Sequence, residues 1–252
     1  MAWVIDLDGV IWRGTEFIEG SADAVARLRS AGIAVVFVTN NAEAKVSDQE
    51  AKLASMDIDA EDLVITSALA AASMLEPGTS AVACGGPGVI EALERRGVTV
   101  APEGPVDAVV VGFHQTFDYQ RLRVAHRAVW QGARLIGTNG DPTYPDVDGP
   151  IPGAGSILAA VATAAGVEPE VAGKPHAAMV ALVREHVGDG DHLVVGDKPS
   201  TDGRLAGALG ARFGLVLSGI TSVDSLPVDP EPDVVADDLA ALVDAELGPS
   251  PQ

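Results

Sequence analysis

The opening stretch Trp3-Val4-Ile5-Asp6-Leu7-Asp8-Gly9-Val10 constrains this chain more than any other. A short β-branched run leads directly into two acids at i and i+2, and then into a glycine. Brief runs that are apolar at every position mark strands buried on both faces, as in parallel sheets. Open α/β sheets bind their ligands beyond the carboxyl ends of the strands. Asp6 and Asp8 therefore belong at a strand tip, where two acids repel each other unless a cation or a proton holds them. For an isolated D-x-D-G, a polar turn after an edge strand is the plain alternative. An EF-hand loop fits less well, because Val10 stands at the third ligand position and a strand precedes the motif.

The chain beyond this tip alternates helical and extended patterns. Gly20-Ser21 opens a helix with Ser21 as N-cap, and Ala24, Val25 and Leu28 follow at helical spacing up to a stop at Gly32. Ile33 to Val38 is apolar on both faces and ends in Thr39-Asn40-Asn41. Strand, helix, strand is a right-handed crossover unit, which brings the second tip beside the first. Residues 39–41 then offer a hydroxyl and two amides, with a helix expected from about Ala42 to Met56. A strand tip followed by free helix N–H groups suits an oxyanion, while capping of that helix is the simpler use.

Glu76-Pro77-Gly78-Thr79 is a clear break, and Gly166 to Glu170 is a second one. The block between them carries its own strand and helix patterns, ending in a helix near Ser156 to Ala165, so it reads as an inserted domain. Its glycine-rich spots, at 85–88 and 153–156, do not complete a dinucleotide-binding G-x-G-x-x-G and are assigned to turns. After the second break come Lys174-Pro175 and the buried run His192 to Gly196, which ends in Asp197-Lys198-Pro199-Ser200-Thr201-Asp202. The architecture expected is a split core, residues 1–77 with 170–252, and an inserted block, residues 78–169.

Composition narrows the function. With 36 acids against 16 Lys and Arg the formal charge is −20, which disfavours nucleic acid as a partner. A single cysteine, Cys84, excludes an internal disulfide framework and fits a reducing, cytoplasmic setting. No apolar run is long enough for a membrane span, and no signal-peptide pattern is expected at the start. Only four lysines occur, and two of them, Lys174 and Lys198, lie in segments that also carry glycine, proline and acids.

Four segments thus converge on one chemistry: Asp6 and Asp8, Thr39 to Asn41, Lys174, and Asp197 with Asp202. Several carboxylates select a hard cation, and Mg²⁺ typically takes one or two of them with waters and substrate phosphate. A lysine and backbone amides complete the positive field that a phosphoryl group requires.

In this order, Asp6-Leu7-Asp8-Gly9, Thr39-Asn40-Asn41, Lys174-Pro175 and Gly196-Asp197-x-x-x-Thr201-Asp202 resemble the four motifs of the haloacid dehalogenase superfamily of phosphatases. The inserted block, with Thr138-Asn139-x-Asp141 and Pro152-Gly153-Ala154-Gly155, is similar to that of the NagD/p-nitrophenylphosphatase branch. The Lys198-Pro199-Ser200 filling of the last motif departs from members with an arginine or asparagine first, and it leaves both acids in place. The resemblance implies an α/β fold: a Rossmann-like, doubly wound parallel core with an inserted α/β cap.

It also implies roles. Asp6 is the expected nucleophile and Asp8 the general acid and base. Thr39, Asn40 and Asn41 are the expected phosphate-binding residues, joined by Lys174. Mg²⁺ is expected on Asp6, the Asp8 carbonyl and Asp197, with Asp202 either a ligand itself or a support behind the ligands. Phe113, Tyr144 and Pro145 in the cap match places where relatives contact the leaving group. The implied activity is Mg²⁺-dependent hydrolysis of a small phosphorylated metabolite through an aspartyl-phosphate. A phosphotransferase or mutase, or a metabolite-binding regulator without catalysis, are the rivals. Self-association through the cap is the one macromolecular contact left open.

Overall fold

The computed structural model of the protein describes residues 1–144 and 149–249. Among the described residues the strands in chain order are β1 (Ala2–Ile5), β2 (Trp12–Arg13), β3 (Glu16–Phe17), β4 (Ala34–Thr39), β5 (Val64–Thr66), β6 (Ser80–Cys84), β7 (Thr99–Val100), β8 (Ala108–Val111), β9 (Arg134–Gly137), β10 (Thr143–Tyr144), β11 (Ile151–Pro152), β12 (Glu170–Val171), β13 (His192–Gly196), β14 (Arg212–Val216) and β15 (Val234–Ala236). They form two larger sheets and two short hairpins, β2–β3 and β10–β11. The fold is α/β, with helices between the strands. No helix of the described residues is long and apolar enough to cross a membrane.

The chain folds into two compact units. One is Met1–Thr39, Gln49–Ile65 and Val180–Gln252, and the other is Asn40–Asp48 and Thr66–Met179. The divisions expected after residue 77 and before residue 170 both fall inside the second unit. Glu170–Val171, expected to re-enter the core, pairs instead with β9 of the second sheet.

The first unit holds the sheet β15-β14-β13-β1-β4-β5. β1 lies in its middle, parallel to β13 on one side and to β4 on the other, with Ile5 opposite Val195 and Phe37. All of β1 and β13 is buried, as the unbroken apolar runs require. The helix Ser21–Ser30 covers one face through Ala24, Val25 and Leu28. Its N-cap is Gly20 at φ 79°, and Ser21 is the first helical residue, so the expected Ser21 cap is corrected. The Ser21 hydroxyl instead donates to the Ile18 carbonyl at 2.7 Å.

The helix expected from Ala42 begins only at Val46. Residues 41–43 form a turn in which the Glu43 N–H donates to Asn41 Oδ1 at 3.0 Å. Glu91, far along the chain, receives the Val46 N–H at 2.7 Å. The tip of β4 is therefore not the start of a helix.

The second unit holds the parallel sheet β12-β9-β8-β6-β7. Val82, Cys84, Val109, Val111 and Leu135 from its strands pack with Ala125, Val129, Leu158 and Val161 from two helices. The glycine-rich spots serve close backbone packing. A Cβ on Gly88 would overlap the Ala42 and Ala44 carbonyls, and one on Gly155 would overlap the Gly140 carbonyl.

Candidate active site

In the first unit, β1 ends at Ile5 and delivers Asp6 just beyond the sheet, with its N–H held by the Val195 carbonyl at 2.9 Å. β13 ends at Gly196 and delivers Asp197, which is 3% exposed. A single π-helical turn, Pro199–Gly203, follows and carries Asp202, which is fully buried. Turns of this wide kind are uncommon and recur at functional sites.

One carboxylate oxygen each from Asp6, Asp197 and Asp202 lies within 4.8 Å of the other two. Three acids so close, two of them buried, are unstable as bare anions. An all-oxygen set of this kind fits a hard divalent cation. The surroundings hold the acids in place. Asp197 Oδ2 accepts from the Ile220 N–H at 2.6 Å, Asp202 Oδ2 from the Lys198 N–H at 3.1 Å, and Asp6 Oδ1 from the Leu7 N–H at 2.8 Å. Gly9 and Gly219 have no space for a Cβ beside Asp197, nor Gly196 beside Asp202. Gly9 also sits at φ +83°, the left-handed region that glycine tolerates best.

Asp8 is outside this carboxylate set and heads a different chain of contacts. Its Oδ1 accepts from the indole N–H of Trp12 at 3.0 Å. The Lys52 ammonium lies 3.8 Å from the Trp12 ring centroid and donates to the Gly14 carbonyl at 2.7 Å. Burial holds the Lys52 pKa below its ordinary value, and Asp8 opposes that shift. Thr39, 1% exposed, closes β4 next to β1.

The sequence motifs assign neither Trp12 nor Lys52 to the site. The spacing of Trp12, four residues after Asp8, is the signal that could have found it. The hairpin β2–β3 that aims it was not expected. Arg13 in that hairpin donates to the Ser218 carbonyl, and Ser218 Oγ donates back to the Gly9 carbonyl at 2.7 Å.

In the second unit two further clusters form. Lys174, 4% exposed, has its backbone N–H and C=O both bonded to the Asn40 side chain. Asn41 Nδ2 donates to the Tyr144 hydroxyl at 3.2 Å. The Tyr144 ring stacks on Phe113 at 4.6 Å between centroids and 9° between planes. Both amide side chains expected to meet phosphate thus have partners within their own unit. Pro145 lies outside the described residues.

Residues 3–99 match haloacid dehalogenase-like hydrolases, and residues 171–242 match a second family described as HAD-hydrolase-like. The acid sugar phosphatase of Staphylococcus epidermidis is 36% identical over 207 residues, 80% of each chain. Among solved structures, p-nitrophenyl phosphatase from Archaeoglobus fulgidus is similar at a TM-score of 0.91 and 30% identity, covering 97% of this chain and 98% of that one. Glycerol phosphate phosphatase Rv1692 from Mycobacterium tuberculosis, solved with calcium and with magnesium, gives TM-scores of 0.87 and 0.88 at 32% identity. Those matches cover 96% of this chain and 74% and 75% of the Rv1692 chains. The four motifs, the tip of β1 and likeness over most of the chain agree: the protein belongs to the haloacid dehalogenase-like hydrolases, in their NagD/p-nitrophenylphosphatase branch.

Proposed function

We propose that the protein is a phosphoric monoester hydrolase, a Mg²⁺-dependent phosphatase of small phosphorylated metabolites. The observation that carries the reading is the gathering of Asp6, Asp197 and Asp202 at the tip of the central strand. The named activities of its relatives, on sugar phosphate, nitrophenyl phosphate and glycerol phosphate, support the substrate class.

In the first half-reaction an Asp6 oxygen attacks phosphorus, and the bond from phosphorus to the ester oxygen breaks. Asp8 gives its proton to the departing oxygen, leaving an alcohol and an aspartyl-phosphate. In the second half, Asp8 takes a proton from a water that attacks the same phosphorus, and inorganic phosphate leaves with Asp6 restored. Thr39 and the backbone N–H groups after it hold the phosphoryl oxygens, and Lys174 neutralises them. Asp6, Asp197, Asp202 and the Asp8 carbonyl would hold the cation, which when bound offsets charge on the phosphoryl group. Most of the gain comes from positioning and charge compensation, with little further covalent work for the protein. Phe113 and Tyr144 select the leaving group, as residues of an inserted cap.

The test is phosphate release from p-nitrophenyl phosphate. Activity should require Mg²⁺, vanish with EDTA and return on adding Mg²⁺. Asp6→Asn, nearly isosteric, should fold normally and keep no more than a few per cent of turnover. Full turnover in that variant would remove Asp6 as nucleophile.

A further inference from the structure

Asn40 directly follows β4, and its side chain grips one residue far along the chain. Oδ1 accepts from the Lys174 N–H at 2.8 Å, and Nδ2 donates to the Lys174 carbonyl at 3.3 Å. The other Nδ2 hydrogen faces Asp141, whose Oδ2 is 3.2 Å away. The orientation of this amide is not arbitrary, because a backbone N–H can only donate and a carboxylate can only accept. Both ends of the side chain are committed, so it has no donor left for a phosphoryl oxygen.

The grip is reinforced from both sides. The Asn40 carbonyl accepts from Ser67 Oγ at 2.7 Å and from Asn139 Nδ2 at 2.8 Å. Gly173, just before Lys174, lies so close that a Cβ there would stand 2.5 Å from Asn40 Oδ1. The backbone of residues 173–174 is thus pressed against the amide, and no other residue type fits at 173 without displacing it.

We propose that Asn40 is a positioning residue that fixes the backbone from which the Lys174 side chain starts, with Asp141 holding the amide in its working orientation. This rests on the reading of Lys174 as the group that neutralises the phosphoryl oxygens. A lysine is a point charge on a four-carbon stem, so its reach is set largely by where its Cα is held. A misplacement of about 1 Å can cost about 10²-fold in rate.

The experiment is a double-mutant cycle on the full chain with Mg²⁺ and p-nitrophenyl phosphate. Asn40→Asp keeps the shape and the acceptor for the Lys174 N–H, loses the donor to the Lys174 carbonyl, and sets a second carboxylate against Asp141. It should lower kcat by roughly 10–100-fold, with a smaller change in KM. Lys174→Met should lower kcat at least as far, and Asn40→Asp added to Lys174→Met should cost less than threefold more. A residue that only supports the fold would multiply its loss into the Lys174→Met background and would lower the melting temperature in step. Multiplicative losses in folded protein, or full kcat in Asn40→Asp, would overturn the proposal while the phosphatase reading stands. If Lys174→Met alone keeps wild-type turnover, the role of Lys174 falls and the proposal falls with it. Should Asn40→Asp fail to fold, Asn40→Ser, which removes the grip without adding charge, takes its place in the same cycle.

Discussion

At the scale of single residues, the two acids of the opening motif part company. Asp6 joins Asp197 and Asp202, whereas Asp8 is oriented by the indole N–H of a tryptophan that is 1% exposed. The indole N–H on Asp8 Oδ1 helps to orient the carboxyl group to which we assign the proton transfer. Trp12→Phe keeps the ring under Lys52 and deletes that donor. We expect it to slow an alkyl phosphate about tenfold and p-nitrophenyl phosphate far less, since general acid help is commonly worth ~10²–10⁴-fold and nitrophenolate hardly needs it. Asp8→Asn should show the same contrast at greater size. Parallel kinetics on the two substrates settle the matter, and equal losses on both would assign Trp12 to packing alone. The acids were legible in the sequence because a strand followed by D-x-D is a local pattern. Trp12 was not, because its role depends on a hairpin that turns it back toward Asp8.

At the scale of elements, the buried strands were the readable part, since β1, β4, β8 and β13 are unbroken apolar runs with little else they could become. Starts and boundaries were less readable because distant residues decide them. Val46 begins its helix with its N–H on Glu91, and residues 40–48 group with the second unit through contacts such as the Gly88 N–H on the Glu43 carbonyl at 2.9 Å. The ends of β6 and β8 add a pH dependence of their own. His114 Nε2 lies 4.0 Å from Cys84 Sγ, and both residues are buried. Burial first, and Arg121 second, lower the His114 pKa from its ordinary 6.5, with Asp118 opposing. Burial also pushes the Cys84 thiol up to about 11, against the pull of Arg121, so the thiol stays protonated across the neutral range. The folded protein therefore keeps His114 neutral where the unfolded chain would protonate it. Its stabilising contribution is present above pH 6.5 and is lost as pH falls below that value. Melting temperature should decline from pH 7 to pH 5, and His114→Gln should flatten that decline. An unchanged slope would place the sensitivity elsewhere.

At the scale of the whole molecule, the charge of −20 is divided unevenly between the two units. The first unit holds 23 acids against 8 Lys and Arg, a net −15, and the second holds 13 against 8, a net −5. The unit that carries Asp6, Asp197 and Asp202 is thus the more negative one, which attracts a divalent cation and repels a phosphomonoester dianion. In the mechanism we propose, positive charge at Lys174 and the backbone amides acts on substrate only at short range, whereas the net field acts along the approach. Screening separates these effects, because the Debye length shrinks from about 30 Å at 0.01 M to about 8 Å at 0.15 M ionic strength. Raising salt over that interval should move two constants in opposite directions. At saturating Mg²⁺, kcat/KM for p-nitrophenyl phosphate should rise a few-fold, roughly the gain expected from screening like charges, while kcat stays level. The Mg²⁺ concentration for half-maximal activity should rise as well, because screening weakens the attraction that gathers the cation. Initial rates in a grid of Mg²⁺, substrate and sodium chloride give both constants. A kcat/KM that falls with salt would mean that substrate meets a net positive field on its approach, with the acids of the first unit already neutralised by bound cation.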